Sequence, residues 1–197
     1  TFGWDLDVFG RDLDVASAAD IRLDGKIAGF MGHIGERIDV RLLDAVAAAG
    51  ISLLLVGPRH PRFDVRALDA LLARPNVQWV GPRSFDELPH YLASMDVGLV
   101  PYNHSGFNEA SFPLKTLEYL AGGRPVVATD LPAIRWLDCP YIEIADTPDA
   151  FVAAVQRAFA LPADRGSRDA ACLFAARHSW SARASEFVRV ISAIAAH

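Results

Sequence analysis

A lysine and a glutamate three residues apart, Lys115 and Glu118, stand in the segment NEASFPLKTLEYLAGGRPVVATD at residues 108–130. Pro113 lies just before them, and proline is tolerated in the first turn of a helix, where its missing N–H has no partner in any case. A helix beginning there turns the free N–H groups of Leu114 and Lys115 outward, at the end where the macrodipole favours an anion. Lys115 adds a full positive charge at that end, and the i,i+3 spacing brings Glu118 out on the same face about a turn deeper. A cation with backbone donors suits a pyrophosphate, and a carboxylate one turn on suits the two hydroxyls of a ribose. The same spacing also describes a plain solvated ion pair worth only about 0.2–0.5 kcal/mol. Position separates the two readings, because this pair follows a strand and opens a helix.

The elements that must place this helix start are legible as alternating patterns. KIAGFMG (26–32) reads as a strand, and DVRLLDAVAAA (39–49) as a helix whose apolar face is Val40, Leu42, Leu43 and Val46, closed by Gly50. ISLLLVG (51–57) is an unbroken apolar run, the signature of a strand covered on both faces. A helix over 64–74, a strand over 77–81, a helix over 84–95 and a strand over 96–101 follow. After a polar loop at 102–111 come a helix over 113–123, a strand over 124–130, a short helix near 131–137 and a last strand over 141–145. Three helices close the chain at 148–161, 164–178 and 181–196. Six strands alternating with helices predict a single α/β domain, a Rossmann-like, doubly wound and mainly parallel sheet flanked by helices.

Such sheets bind ligands beyond the C-terminal ends of their strands. The loops to watch are therefore 32–38, 57–63, 81–84, 101–112 and 128–132. They hold His33 in a glycine-flanked turn, Arg37, the Gly81-Pro82-Arg83 run, His104, Asn108 and Glu109. Gly57 and Pro58 read as turn formers, and Trp79, Trp136 and Trp180 as core aromatics. GFMGHIG places glycines at 29, 32 and 35, which is not the G-x-G-x-x-G of a dinucleotide-binding oxidoreductase.

Composition bounds the rest. A chain of 197 residues with 52% apolar and 22% charged residues is long enough for one full domain and its core. The net charge of −5 argues against a nucleic-acid partner. No apolar run approaches the roughly 18–20 residues that span a bilayer, and no signal peptide opens the sequence. Cys139 and Cys172 lack metal-ligand spacing and read as unpaired thiols of a reducing cytoplasm. Residues 1–25, rich in Asp but without metal-loop spacing, read as a solvated interdomain connector, leaving 26–197 as the domain proper.

PLKTLEYLAGGRPVVATD (113–130) resembles the hallmark segment of glycosyltransferase family 4 and related GT-B enzymes, the group 1 glycosyltransferases. The likeness extends upstream through LARPNVQWVGPRSFDELPHYLASMDVGLVPY (72–102) and downstream to HSWSARASEFV (178–188). It implies the C-terminal, nucleotide-sugar-binding half of a GT-B fold. By resemblance, Leu114 and Lys115 hold the donor diphosphate, Glu118 the ribose, and Gly81, Pro82 and Arg83 the base. Many members carry an E-x7-E pair whose first glutamate meets the donor sugar. Here that position is Ala110, so Glu109 and Asn108 beside it become the sugar candidates. Many members also place an Arg and a Lys against the phosphates in the loop after the first strand. Phe30 and Glu36 stand there instead, leaving Arg37 to compensate and His33 as a further candidate.

The resemblance implies a retaining transfer from a nucleoside-diphosphate sugar to a glycan or lipid-linked acceptor, in polysaccharide biosynthesis. No metal or other cofactor is expected, because Lys115 and the helix dipole take the place of a cation. The expected partners are the nucleotide-sugar donor and an N-terminal, acceptor-binding half, to which any peripheral membrane association falls. Without that half the chain is expected to transfer no sugar. The alternative is a non-catalytic nucleotide-binding module of Rossmann type.

Overall fold

Strand β2 (Ser52–Val56) shows how this chain assembles: four of its five residues are fully buried, as a run of Leu and Val must be when helices cover both faces. The computed structural model describes residues 15–162 and 164–195. Around β2 it sets β1 (Ile27–Met31), β3 (Val77–Trp79), β4 (Val97–Val100), β5 (Val126–Ala128) and β6 (Ile142–Ile144). All pair in parallel, in the order β3-β2-β1-β4-β5-β6. The order turns around between β1 and β4, and the crevice beyond the ends of those two strands is where a doubly wound sheet receives a ligand.

The helices are α1 (Val40–Ala48), α2 (Val65–Leu72), α3 (Leu88–Ala93) and α4 (Gly106–Ala110), then α5 (Leu114–Ala121) and α6 (Pro132–Leu137). The last three are α7 (Pro148–Ala160), α8 (Arg165–Ala176) and α9 (Trp180–Ala195). Asp39 caps α1 by accepting from the Arg41 amide, and the predicted face of Val40, Leu42, Leu43 and Val46 is buried. Helix α5 buries Leu117, Tyr119, Leu120 and Ala121 and points its start at the switch point.

Tyr119 fixes that placement. It is fully buried, and its hydroxyl accepts the Met31 N–H at 2.7 Å, at the very end of β1. Its ring lies flat on Gly98 of β4, where a Cβ would come within 2.3 Å of the ring's Cγ. Glycine at 98 is thus a packing requirement, made where α5 crosses β4.

Four expectations change in detail. The segment 84–95 divides into a 3-10 turn over Phe85–Glu87 and the shorter α3. The polar loop at 102–111 contains α4, whose cap Ser105 accepts from the Asn108 amide. Trp79, Trp136 and Trp180 are not core residues: they are 37%, 59% and 59% exposed. Trp136 and Trp180 line a surface groove with Phe112, Leu117 and His178, in which Trp136 meets Phe112 and His178 edge to face. Trp79 ends the edge strand β3 and Trp136 and Trp180 stand on the outer faces of their helices, where an indole keeps part of its surface in contact with water.

The connector read over 1–25 falls partly on residues 1–14, which lie outside those described. Residues 15–25 are not loosely solvated. The Ala18 amide donates to the His90 carbonyl and to Oγ of Ser94, and the Arg22 amide to Gln78. Asp20 accepts from Tyr91 and Arg83. Both cysteines are free thiols, Cys139 buried and Cys172 half-buried. Among the described residues no helix is long and apolar enough to cross a membrane.

Tyr119→Phe tests the anchor of α5. It leaves the Met31 N–H buried without an acceptor, so urea unfolding should show a loss of about 1–3 kcal/mol. A midpoint equal to the parent's would mean that this amide finds another partner.

Candidate functional site

Helix α5 starts at Leu114 after Pro113, whose backbone sits at φ −79° and ψ 87° with no side-chain cap. The Thr116 amide donates to the Pro113 carbonyl at 3.0 Å, and the Leu114 and Lys115 N–H groups meet no side-chain cap at the end of the helix that lines the cleft. Leu114, Lys115 and Glu118 all line a cleft of about 660 Å³ there, with Gly32, Gly57 and Tyr102.

Lys115 is 27% exposed and Glu118 20%, with Nζ and Oε2 3.8 Å apart. That is longer than a hydrogen bond, and the pair is sunk in a cleft instead of lying on an open helix surface. The solvated ion pair is the poorer description of it.

Room for Lys115 is made by Gly32. A Cβ at Gly32 would lie 2.3 Å from Cε of Lys115 and 3.0 Å from Nζ, so the lysine stem runs across bare backbone. The Gly32 φ of +150° also disfavours any side chain. Directly beneath, Gly57 has φ +130°, and a Cβ there would fall 2.1 Å from the Gly32 carbonyl oxygen. The two strand ends are laced together through this contact. The Gly32 amide donates to Val56, the Gly57 amide to Gly81 and the Ile34 amide to Pro58, each at 2.8 Å. Gly32 and Gly57 went unassigned as site residues in the sequence. The available signal was a glycine closing each of two predicted strands, at Gly32 and Gly57.

The other candidates divide. His33 and Arg37 line the cleft. Arg83 reaches its edge, but its guanidinium is bound to Asp20, Tyr91 and the Val80 carbonyl, which also holds the Asp20 carboxyl below the usual carboxylate range. Gly81 and Pro82 are not among the lining residues, and Gly81 acts through its carbonyl on Gly57. Asn108 is fully buried with its carboxamide engaged, and it does not line the cleft. Glu109 lies outside on α4, 3.9 Å from His104, which itself bonds Asp146 at 3.0 Å. Tyr102 and Phe112 line the cleft although the sequence did not single them out. Burial pushes the Tyr102 phenol above its ordinary range, opposed by the nearby Arg37 charge. Among the described residues no three His, Cys, Asp or Glu side chains converge on a point that could hold a metal ion.

The arrangement offers an anion seat (helix start and Lys115) beside a carboxylate that can accept from hydroxyls, in a crevice shaped by close backbone approach. Comparison with known proteins gives the family. Over 163 residues the chain is 34% identical to TuaH of Bacillus subtilis (strain 168), a glycosyltransferase assigned to teichuronic acid biosynthesis. The match takes in 80% of this chain and 41% of that protein, so the chain spans less than half the length of this relative. Among solved structures, sucrose-phosphate synthase from Thermosynechococcus elongatus superposes with a TM-score of 0.74 at 23% identity, over 98% of this chain and 51% of that one. The Anabaena protein HepE in complex with UDP superposes with a TM-score of 0.71 at 14% identity, over 97% of this chain and 56% of that one. These two share the fold, a parallel Rossmann-like sheet flanked by helices as in GT-B structures. Residues 26–160 match the family described as glycosyl transferases group 1, and to that family the chain belongs.

Proposed function

We propose that this domain binds the donor of a glycosyl transfer, a nucleoside-diphosphate sugar, with the diphosphate on the start of α5 and the ribose at Glu118. The observation that carries the reading is Lys115, laid across Gly32 at an uncapped helix start in the switch-point crevice. It is supported by HepE, solved with UDP and, in a second structure, with UDP-glucose. The base lies toward Pro58 and the rim at Arg83 and Leu88.

In this reading catalysis is positioning and electrostatics. As the bond to the anomeric carbon breaks, negative charge grows on the departing diphosphate, and the helix N–H groups with Lys115 stabilise it. The transfer retains anomeric configuration, takes a glycan or lipid-linked acceptor and serves polysaccharide assembly in the cytoplasm. The TuaH likeness and the family resemblance support that setting. Neither a metal nor another cofactor enters the proposal. The acceptor is held by a further, N-terminal domain facing the crevice.

Titration with UDP, GDP and ADP by calorimetry tests the site and identifies the base. Lys115→Ala should weaken the bound nucleoside diphosphate more than any other single substitution. The loss of a charge-assisted phosphate contact is about 1.5–3 kcal/mol, or roughly ten- to a hundredfold in affinity. An unchanged dissociation constant would remove the diphosphate from this place.

Glu118→Gln should weaken nucleoside diphosphate binding while leaving inorganic pyrophosphate nearly unaffected, because pyrophosphate has no ribose. Equal losses for both ligands would show that Glu118 acts through the helix instead. Residues 1–197 alone should bind donor yet transfer no sugar, since transfer needs the acceptor in near-attack geometry and water kept out. Incubation with radiolabelled UDP- and GDP-sugars and a glycan or lipid extract checks this, and robust product formation would refute it.

A further inference from the structure

Arg37 reaches the cleft from the loop after β1, and uncharged groups hold its guanidinium. Nε donates to Oδ1 of Asn108 at 2.7 Å, and Nη2 to Oγ of Ser111 at 3.2 Å. Cζ lies 4.5 Å from the Tyr102 ring centroid and 4.8 Å from that of Phe107. Phe107 is 66% exposed, so its ring is placed over the cation and not in the core. Among the described residues no carboxylate pairs with Arg37. A half-buried guanidinium ordinarily finds one.

The other end of Asn108 explains how the cation is held. Its Nδ2 donates to the Arg37 carbonyl at 3.0 Å and to the carbonyl and Oδ1 of Asn103 at 2.9 Å each. Asn103 returns to the same strip of chain, its amide donating to the Arg37 carbonyl and its Nδ2 to the Glu36 carbonyl. With three oxygens around Nδ2 and a guanidinium N–H at Oδ1, only one orientation of the carboxamide satisfies every partner. An aspartate here would also accept from Arg37, but it would cancel the charge and have no N–H for the three oxygens.

We propose that Asn108 is a positioning residue, a neutral clamp that aims Arg37 into the cleft with its charge intact for an oxyanion of the donor beyond the ribose. This rests on the donor-site reading above. Going back along the chain, Glu118 and Lys115 are followed by Ser111, the Arg37 partner. Arg37, Lys115 and Glu118 line one cleft, so a donor with its ribose at Glu118 and its diphosphate at Lys115 leaves its outer phosphate or its sugar for Arg37. The oxyanion is that outer phosphate or a carboxylate carried by the sugar, and one guanidinium serves either.

The test is calorimetric titration of the parent chain, Arg37→Gln and Asn108→Asp with UMP, UDP, UDP-glucose and UDP-glucuronate. Both variants should bind UMP as the parent does, which also reports on the fold. If the oxyanion is the outer phosphate, UDP and both UDP-sugars lose roughly tenfold or more in affinity in each variant. If it is the sugar carboxylate, only UDP-glucuronate loses. Asn108→Ala, which removes the clamp without adding charge, should show the same ligand pattern. The proposal is overturned if Arg37→Gln binds all four ligands as the parent does. It is also overturned if UMP weakens in step with the others, or if the Asn108 variants lose UMP because they no longer fold. Failure of the donor-site reading itself looks different, since the parent would then bind none of the four.

Discussion

One hydrogen bond sets where everything else in the cleft can be. The Tyr119 hydroxyl takes the last amide of β1, and its ring presses on Gly98 of the neighbouring strand. A helix tied to two strands at the point where the sheet order turns cannot slide along its axis without breaking a buried contact. The start of α5 is therefore fixed relative to Gly32, and Lys115 to the backbone it crosses. An anion seat made from orphan N–H groups works only when those groups cannot shift to find other partners. Rigid attachment of the helix is what keeps them available.

Charge in this domain is arranged against its own average. The chain carries a net charge of −5, yet Lys115 and Arg37 both line the cleft, together with the carboxylates Glu36 and Glu118. Cations placed at a helix start in an acidic protein give an anionic ligand one local seat, while the net charge leaves the remaining surface unattractive to it. The rim is managed differently. Arg83 is neutralised by Asp20 and steadied by Tyr91, so it serves to fasten residues 15–25 to the sheet edge.

What could be read in the sequence was what is local. ISLLLVG is a buried strand wherever it occurs, and Lys115 and Glu118 share a face because they are three residues apart on one helix. Pro113 marked the helix start, and the parallel pairing followed from the alternation of strands with helices. The clamp on Arg37 was not legible, because Asn108 and Arg37 are 71 residues apart and meet only once β1 and β4 lie side by side. Asn108 was singled out for its polarity and its loop, and the fold uses that polarity to organise another residue. The three tryptophans show the converse error. Large apolar side chains were read as core, while the interior is filled by Leu, Val, Ile, Tyr119, Phe30 and Phe151 and the indoles stand at its edges.

One of those tryptophans has a use beyond packing. Trp79 is 37% exposed and donates its indole N–H to the Gly57 carbonyl at 2.9 Å, on the floor of the cleft. The Gly57 amide is bonded in turn to Gly81, so the indole is joined to the strand end that closes against Gly32. The emission of an indole responds to the group its N–H is bonded to and to the field of nearby charge, here Arg59 at 6.0 Å from the ring. The domain thus carries an optical reporter one hydrogen bond from the floor of its cleft, needing no added label. Trp136 and Trp180, in a separate groove, provide the reference against which its signal can be read.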